Sequence, residues 1–259
     1  MPLVAATAVL SGLFGLIVGS FIATVSLRLA RDDEAVSGRS RCLGCNEPLK
    51  PWQMIPVISW LILRGRCGRC GAAISIRYLL IELAAGAIGV WAVLHGAAPA
   101  AMMGGSWLLI GATALLGWQL LLIAVVDAEN FWLPDILTLP LIGTGLVASG
   151  LLARGIPLAQ IVGAVMGFVL LWLMAWLYRR VRKRDGLGGG DPILFAGAGA
   201  WVGVTGLPSV LLWACVVALC LVLGRLLMRR PVSGADRLPF GTLLAIGAGL
   251  TWIYGPLGL

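Results

Sequence analysis

Long apolar runs, separated by short polar segments, make up most of this 259-residue chain. A helix needs about 20 mostly apolar residues to cross the hydrocarbon core of a bilayer. Lipid offers the backbone no hydrogen-bond partners, so runs of that length predict helices. We predict eight membrane spans, at residues 3–27, 78–96, 102–126, 134–153, 157–178, 191–206, 208–228 and 239–257.

Composition supports the same fold class. Hydrophobic residues account for 60% of the chain, charged residues account for only 12%, and the mean hydropathy is +0.99. A water-soluble domain cannot carry that balance, so most of the surface faces lipid. We interpret the 36 glycines as sites where helix backbones approach closely. The predicted fold is an all-α polytopic membrane protein with about eight transmembrane helices.

The basic residues lie in a few connecting segments, which indicates how the helices are oriented. If the first helix runs inward, the segments 28–77, 127–133, 179–190 and 229–238 are cytoplasmic, and every Lys and Arg except Arg154 falls on that side of the membrane. We therefore assign the net charge of +8 to orientation, with contacts to anionic lipid as the alternative, and not to nucleic acid. No Lys or Arg precedes Arg28, so the first run lacks the basic region of a cleaved signal peptide and is expected to remain as a helix.

Residues 31–77 form the one stretch long and polar enough for a small extramembrane domain. They carry two C-x-x-C pairs, Cys42 with Cys45 and Cys67 with Cys70, and 21 residues lie between the pairs. This spacing is typical of a four-thiolate zinc site. Two disulfides are the alternative, but a reducing cytoplasm disfavours them. A closed four-cysteine site leaves no position for substrate, so we predict a structural Zn²⁺.

Five of the eleven acidic residues lie at or near predicted helix ends on the cytoplasmic side: Glu82, Asp127, Glu129, Asp135 and Asp191. An ionisable group beside hydrocarbon is costly, so each of these is a candidate for function. The other six, Asp32, Asp33, Glu34, Glu47, Asp185 and Asp236, lie in polar loops beside basic groups and are expected to be solvated.

Asp127 and Asp191 are the candidates for a catalytic pair. Asp127 ends a long apolar run, and Asp191 follows three glycines and precedes Pro192, where it could instead serve only to cap a helix. Two close carboxyls cannot easily both ionise, so one keeps a proton while the other activates water, as in aspartic proteases. The single histidine, His95, falls at the opposite membrane face and is interpreted as an interfacial residue.

Five segments resemble the bacterial prepilin peptidases, also called type IV prepilin leader peptidases, over nearly the whole chain. They are GSFIATVSLRLA (19–30), PWQMIPVISWLILRG (51–65) between the cysteine pairs, ISIRYLLIELAAG (74–86), DAENFWLPDILTLP (127–140) and GLGGGDPILFAGAGAWVG (186–203). The resemblance implies that Asp127 and Asp191 are the catalytic aspartates, Asp191 ending the G-x-G-D motif, and that Asp135 matches the aspartate after proline. We divide the chain into a first transmembrane helix (1–30), a cytoplasmic zinc-binding loop domain (31–77) and a transmembrane aspartyl protease core (78–259).

The resemblance further implies substrate, cofactor and location. The family cleaves the basic leader from type IV prepilins and type II secretion pseudopilins after a glycine, at the cytoplasmic face of the bacterial inner membrane. Many members then methylate the new amino terminus with S-adenosylmethionine. Glu129, Asp135 and Glu82 are hypothetical contacts for the basic leader. The oligomeric state stays open.

Two positions depart from the family pattern, and one other class of function stays in consideration. Ala23 stands where the family usually has asparagine, and Ile193 where it usually has lysine. Neither change removes a proposed catalytic carboxylate. The alternative function is a membrane transporter of ions or solutes with a zinc-stabilised loop, but it predicts acidic residues spread through membrane depth, whereas here they cluster at one face. An inactive scaffold of a secretion assembly is a further alternative.

Overall fold

A computed structural model describes residues 2–29, 40–42, 44–96, 106–183, 186–228 and 238–258. Within these residues the regular structure is helical, apart from two isolated β-bridges that join Arg41 to Pro48 and Arg66 to Ala73. A short 3₁₀ helix spans Pro51–Met54. The α-helices are α1 (Pro2–Leu29), α2 (Ile58–Ile62), α3 (Ile76–Gly96), α4 (Ser106–Asn130), α5 (Asp135–Ala153), α6 (Leu158–Arg182), α7 (Asp191–Leu227) and α8 (Phe240–Tyr254).

The predicted membrane architecture is confirmed. Among the described residues, six helices are long and apolar enough to cross a bilayer, namely α1 and α3 to α7, and α8 is a shorter apolar helix. The predicted sixth and seventh spans form one 37-residue helix, α7, which is interrupted at Gly203 with φ 74° and ψ 176°. The predicted break at 206–208 was therefore three residues late. Counting the two halves of α7 and α8 gives the eight expected segments.

Several predicted features lie outside the described residues. These are the first residues of the third predicted span (102–105), the acidic residues Asp32, Asp33, Glu34, Asp185 and Asp236, and the basic residues Arg184, Arg229, Arg230 and Arg237.

The chain folds as two compact units, Met1–Leu122 and Ile123–Leu259. In the first unit, α1 packs on α3 through small residues. A Cβ added to Gly89 would collide with the backbone carbonyl of Ser11, and the Ser11 hydroxyl donates to the Gly89 carbonyl at 2.8 Å. The Trp118 indole donates to the Ala85 carbonyl at 2.9 Å. Close glycine contacts and hydrogen bonds between helices stabilise helix pairs in lipid, where the hydrophobic effect does not.

In the second unit, α7 packs against α5, α6 and α8. Gly163 of α6 and Gly199 of α7 face each other so closely that a Cβ on either would collide with the backbone of the other. The Trp201 indole donates to the Leu141 carbonyl of α5 at 3.0 Å. These contacts confirm the packing role predicted for many of the glycines.

Candidate active site and metal centre

Asp127 lies in the last turn of α4, and its carboxylate meets the first turn of α8. The residue is only 5% exposed. Its Oδ2 accepts a hydrogen bond from the Thr242 backbone N–H at 2.6 Å, and the Thr242 hydroxyl lies 3.0 Å from the same oxygen. The first N–H groups of a helix have no partners within the helix, so α8 offers its free donors to this carboxylate.

Asp191 is the first residue of α7 and is also 5% exposed. Its Oδ2 accepts a hydrogen bond from the Gly188 backbone N–H at 2.9 Å, while its own N–H donates to the Gly188 carbonyl at 3.3 Å. The N-cap of α7 is Gly190, which has no side-chain capping bond. The Asp191 carboxylate therefore bonds upstream into the glycine run, and its catalytic role stays a prediction.

Leu133 connects the surroundings of the two aspartates. It belongs to the short link between α4 and α5 and is 5% exposed. Gly190, next to Asp191, lies against the Leu133 backbone carbonyl, and Gly241, next to Thr242, lies against the Leu133 side chain. Leu133 therefore lies against the glycines next to both aspartate sites. The helix ends thus bring the two buried carboxyls to one place.

The three lesser candidates lie in different surroundings. Glu129 and Asp135 are exposed, Glu129 near the end of α4 and Asp135 in the first turn of α5. Glu82 is buried in α3, and its Oε2 accepts a hydrogen bond from the Val57 N–H at 2.7 Å. Val57 has φ 62°, a conformation that is unfavourable for a β-branched residue. Their substrate-binding roles stay predictions. His95 lies in the last turn of α3, at the opposite end from Glu82.

Sequence reasoning did not identify Thr242, Gly241 or Leu133 as parts of the site. Thr242 is 115 residues from Asp127 along the chain. One local signal could have pointed to Thr242. Pro239 precedes an apolar run and so marks the start of a helix, where the first backbone N–H groups are free to donate hydrogen bonds.

The four loop cysteines converge as predicted. The Sγ atoms of Cys42, Cys45, Cys67 and Cys70 all lie within 4.8 Å of one another. Each pair forms a turn closed by backbone hydrogen bonds: Asn46 N–H to the Cys42 carbonyl at 2.8 Å, and Gly71 N–H to the Cys67 carbonyl at 3.0 Å. The thiols are not paired as disulfides.

The electrostatics of this cluster fit a bound cation. Hydrogen bonds from the backbone of Cys70 and Arg69, with the Cys42 thiol, lower the pKa of Cys67 to about 6. The Ala72 backbone lowers the pKa of Cys70, but burial and the neighbouring thiols outweigh it and raise that pKa to about 11. Four thiolates cannot sit together without a positive charge between them. A divalent metal supplies that charge and deprotonates its ligands.

The first unit also contains a cavity of about 790 Å³. Its lining joins the exit of α1, the start of α3 and the cysteine loop, and includes Thr24, Trp60, Tyr78 and Glu82. The Arg77 guanidinium closes one wall by donating to the Ala23 carbonyl at 2.9 Å and to the Ser26 hydroxyl at 2.6 Å. A space of this size, with aromatic and polar walls, is suited to a small molecule.

Comparison with known proteins gives consistent matches along the chain. Residues 13–96 match the bacterial peptidase A24 N-terminal domain, and residues 114–223 match the type IV leader peptidase family. A prepilin leader peptidase/N-methyltransferase of Dichelobacter nodosus is 36% identical over 273 residues, covering 94% of this chain and 90% of the relative. Proteins with the same description from Stutzerimonas stutzeri (38% identical; 83% and 72% covered) and Pseudomonas aeruginosa (35%; 94% and 89%) are similar. No solved structure matches the chain.

Proposed function

Because the chain belongs to the type IV leader peptidase family, we propose that it is a membrane-embedded prepilin peptidase with Asp127 and Asp191 as its catalytic pair. The observation that carries the assignment is the pair of buried carboxyls at two helix ends, each held by a backbone amide. The substrates are type IV prepilins or type II secretion pseudopilins, cleaved after the glycine that ends the basic leader.

The chemistry follows from two interacting carboxyls with one proton between them. The ionised carboxylate removes a proton from water, whose oxygen attacks the peptide carbonyl carbon. The protonated carboxyl donates its proton to the carbonyl oxygen, which gives a neutral tetrahedral diol. When the diol collapses, a proton passes to the amide nitrogen and the C–N bond breaks. Burial keeps bulk water away from the pair, which strengthens both interactions.

The second proposed activity is N-methylation of the new amino terminus with S-adenosylmethionine. The names of the relatives and the cavity of the first unit support it. Trp60 and Tyr78 offer aromatic faces for an adenine ring, and the Glu82 carboxylate offers a negative charge to the cationic methyl donor. The donor supplies an electrophilic methyl group, and the free amine of the cleaved pilin is the nucleophile.

The remaining assignments concern the metal, the divisions of the chain and the location. Zn²⁺ held by Cys42, Cys45, Cys67 and Cys70 stabilises the loop 31–77, which lies between the first helix (1–30) and the protease core (78–259). We place the protein in the bacterial inner membrane with its site facing the cytoplasm. The basic residues of the connecting segments support this orientation.

The decisive experiment co-expresses the protein with a prepilin and follows leader removal and methylation by intact mass. Wild type is expected to remove the leader, whereas Asp127→Asn and Asp191→Asn abolish removal because an amide can neither hold nor release the required proton. Asp135→Asn is measured in the same assay: this carboxylate is exposed, and a raised KM with an unchanged kcat would report a contact with the leader. Cleavage by both Asp127→Asn and Asp191→Asn would refute the aspartyl mechanism.

Methylation is tested in the same spectra. Glu82→Gln is expected to reduce the fraction of mature pilin that carries the additional methyl mass, and slower leader removal by this variant would support the predicted contact with the leader instead. Equal methylation by wild type and Glu82→Gln would remove Glu82 from the proposed donor site.

A further inference from the structure

Thr242 contacts Asp127, one member of the proposed catalytic pair, through both its backbone and its side chain. Its backbone N–H donates to Asp127 Oδ2 at 2.6 Å, and its hydroxyl oxygen lies 3.0 Å from that same atom. The hydroxyl also lies 3.0 Å from the Ala124 carbonyl, one turn before Asp127 on α4. One residue therefore holds both the carboxylate and the helix that carries it.

The hydroxyl has a single hydrogen and two acceptors at equal distance. An ionised carboxylate is a stronger acceptor than a peptide carbonyl, so the hydrogen points to Asp127 while Asp127 is charged. Once Asp127 gains a proton, the hydroxyl can turn its hydrogen to Ala124. The arrangement thus accommodates both protonation states without moving the backbone.

The contacts on Asp127 are concentrated on one oxygen. Within the described residues, the hydrogen bonds to this carboxylate all end on Oδ2, and Oδ1 receives none. Gly241 lies against the carboxyl group and has no side chain to cover it. Among the residues that the structure describes, the Gly188 N–H is the one donor to Asp191. Two donors favour the ionised form of a carboxylate more than one donor does.

We propose that Thr242 is a positioning residue that holds Asp127 as the general base, with Oδ2 fixed and Oδ1 directed at the reacting water. This rests on the proposed peptidase function. Oδ1 takes the proton from water as the water oxygen bonds to the peptide carbonyl carbon, and Asp191 gives its proton to the carbonyl oxygen. Asp127 then returns its proton to the leaving amide nitrogen, which leaves the pair one proton short until Asp191 is reprotonated from the diol.

The first test isolates the hydroxyl with three variants. Thr242→Val keeps the shape and the backbone N–H but removes the hydroxyl, and Thr242→Ser restores the hydroxyl. Thr251→Val is the matched control, because Thr251 is a buried threonine of the same helix whose hydroxyl bonds the Gly247 carbonyl and no other group in the described part of the chain. Prepilin cleavage by Thr242→Val is expected to show a kcat lower by roughly 10- to 100-fold with KM unchanged. Thr242→Ser and Thr251→Val are expected to stay within about threefold of wild type.

The second test does not need cleavage. A hydrophobic carbodiimide adds to a protonated carboxyl and rearranges to a stable N-acylurea, which is detected by the mass of the peptide containing Asp127. Without the Thr242 hydroxyl the carboxyl group is held by one donor instead of two, so Thr242→Val should be modified faster at neutral pH than wild type, Thr242→Ser or Thr251→Val.

The two tests separate the possible failures. If wild type cleaves no prepilin, the proposed function fails, and the rate of carbodiimide modification still decides the role of Thr242. Equal modification rates at Asp127 in wild type and Thr242→Val overturn the inference. It is also overturned if Thr242→Val cleaves with the wild-type kcat, or if Thr242→Ser loses as much activity as Thr242→Val.

Discussion

The three glycines before Asp191 are expected to differ sharply in their tolerance of a methyl group. A Cβ on Gly190 would lie 2.6 Å from the Leu133 carbonyl oxygen and 2.7 Å from Leu133 Cβ, whereas a Cβ on Gly189 would meet no atom within 4 Å. Gly190→Ala and Gly189→Ala therefore make the same chemical change at adjacent positions with opposite steric results.

The size of the effect follows from the overlap. Ordinary van der Waals contact begins near 3.4 Å, so the Gly190 methyl is about 0.8 Å too close to backbone that no rotamer change can move. Relief requires that Leu133 and the start of α7 separate by most of that distance, and Asp191 moves with them. Overpacking of this kind costs about 1–3 kcal/mol, and a shift approaching 1 Å at a reacting group lowers kcat by roughly 100-fold.

The assay is the initial rate of prepilin cleavage by purified protein in proteoliposomes, with the unfolding temperature measured on the same preparations. Gly190→Ala should lose about 100-fold in kcat and unfold at a lower temperature, while Gly189→Ala should match wild type in both. Wild-type activity of Gly190→Ala, or equal damage in both variants, would refute the proposed contact between Leu133 and the glycine run.

Three further outcomes are expected. Cys67→Ser should lower the zinc content measured by plasma mass spectrometry and the unfolding temperature, whereas Cys215→Ser, which lies outside the cysteine cluster, should change neither. A chelator strong enough to remove the metal should reproduce the Cys67→Ser result on wild type. Gly199→Val should destabilise the protein by about 3 kcal/mol or more, because its side chain would enter the backbone of α6, while Gly143→Val, with open space around it, should cost less than 1 kcal/mol in denaturation in detergent.

Much of the fold could be predicted because bilayer thickness sets the length of each apolar run. The α5 and α6 bounds lie close to the predicted 134–153 and 157–178, since Pro134 and Pro157 mark both starts. The α7 break was harder to locate. Pro208 predicts a break at its own position, but the helix continues through it. The break is at Gly203, where the backbone has the positive φ that glycine adopts easily.

Only those parts of the candidate site that neighbouring residues in the sequence reveal could be predicted. Asp127 and Asp191 could be found because carboxylates beside apolar runs are rare. Their partners could not, because Thr242 and Leu133 gain their importance from contacts between segments distant in the chain. The cysteine cluster was predictable in full, since C-x-x-C spacing itself specifies a turn that presents two thiolates.

The hydrogen bond from Val57 to Glu82 has a consequence for biogenesis. Glu82 is the seventh residue of α3, and a carboxyl at that depth opposes transfer of the helix from the translocon into lipid. The loop that contains Val57 is synthesised before α3. The Val57 N–H is therefore available as a hydrogen-bond donor when Glu82 enters the membrane. We therefore expect loop folding and α3 insertion to occur as one cooperative step, with chains that fail to fold the loop delayed at the membrane and exposed to quality-control proteases.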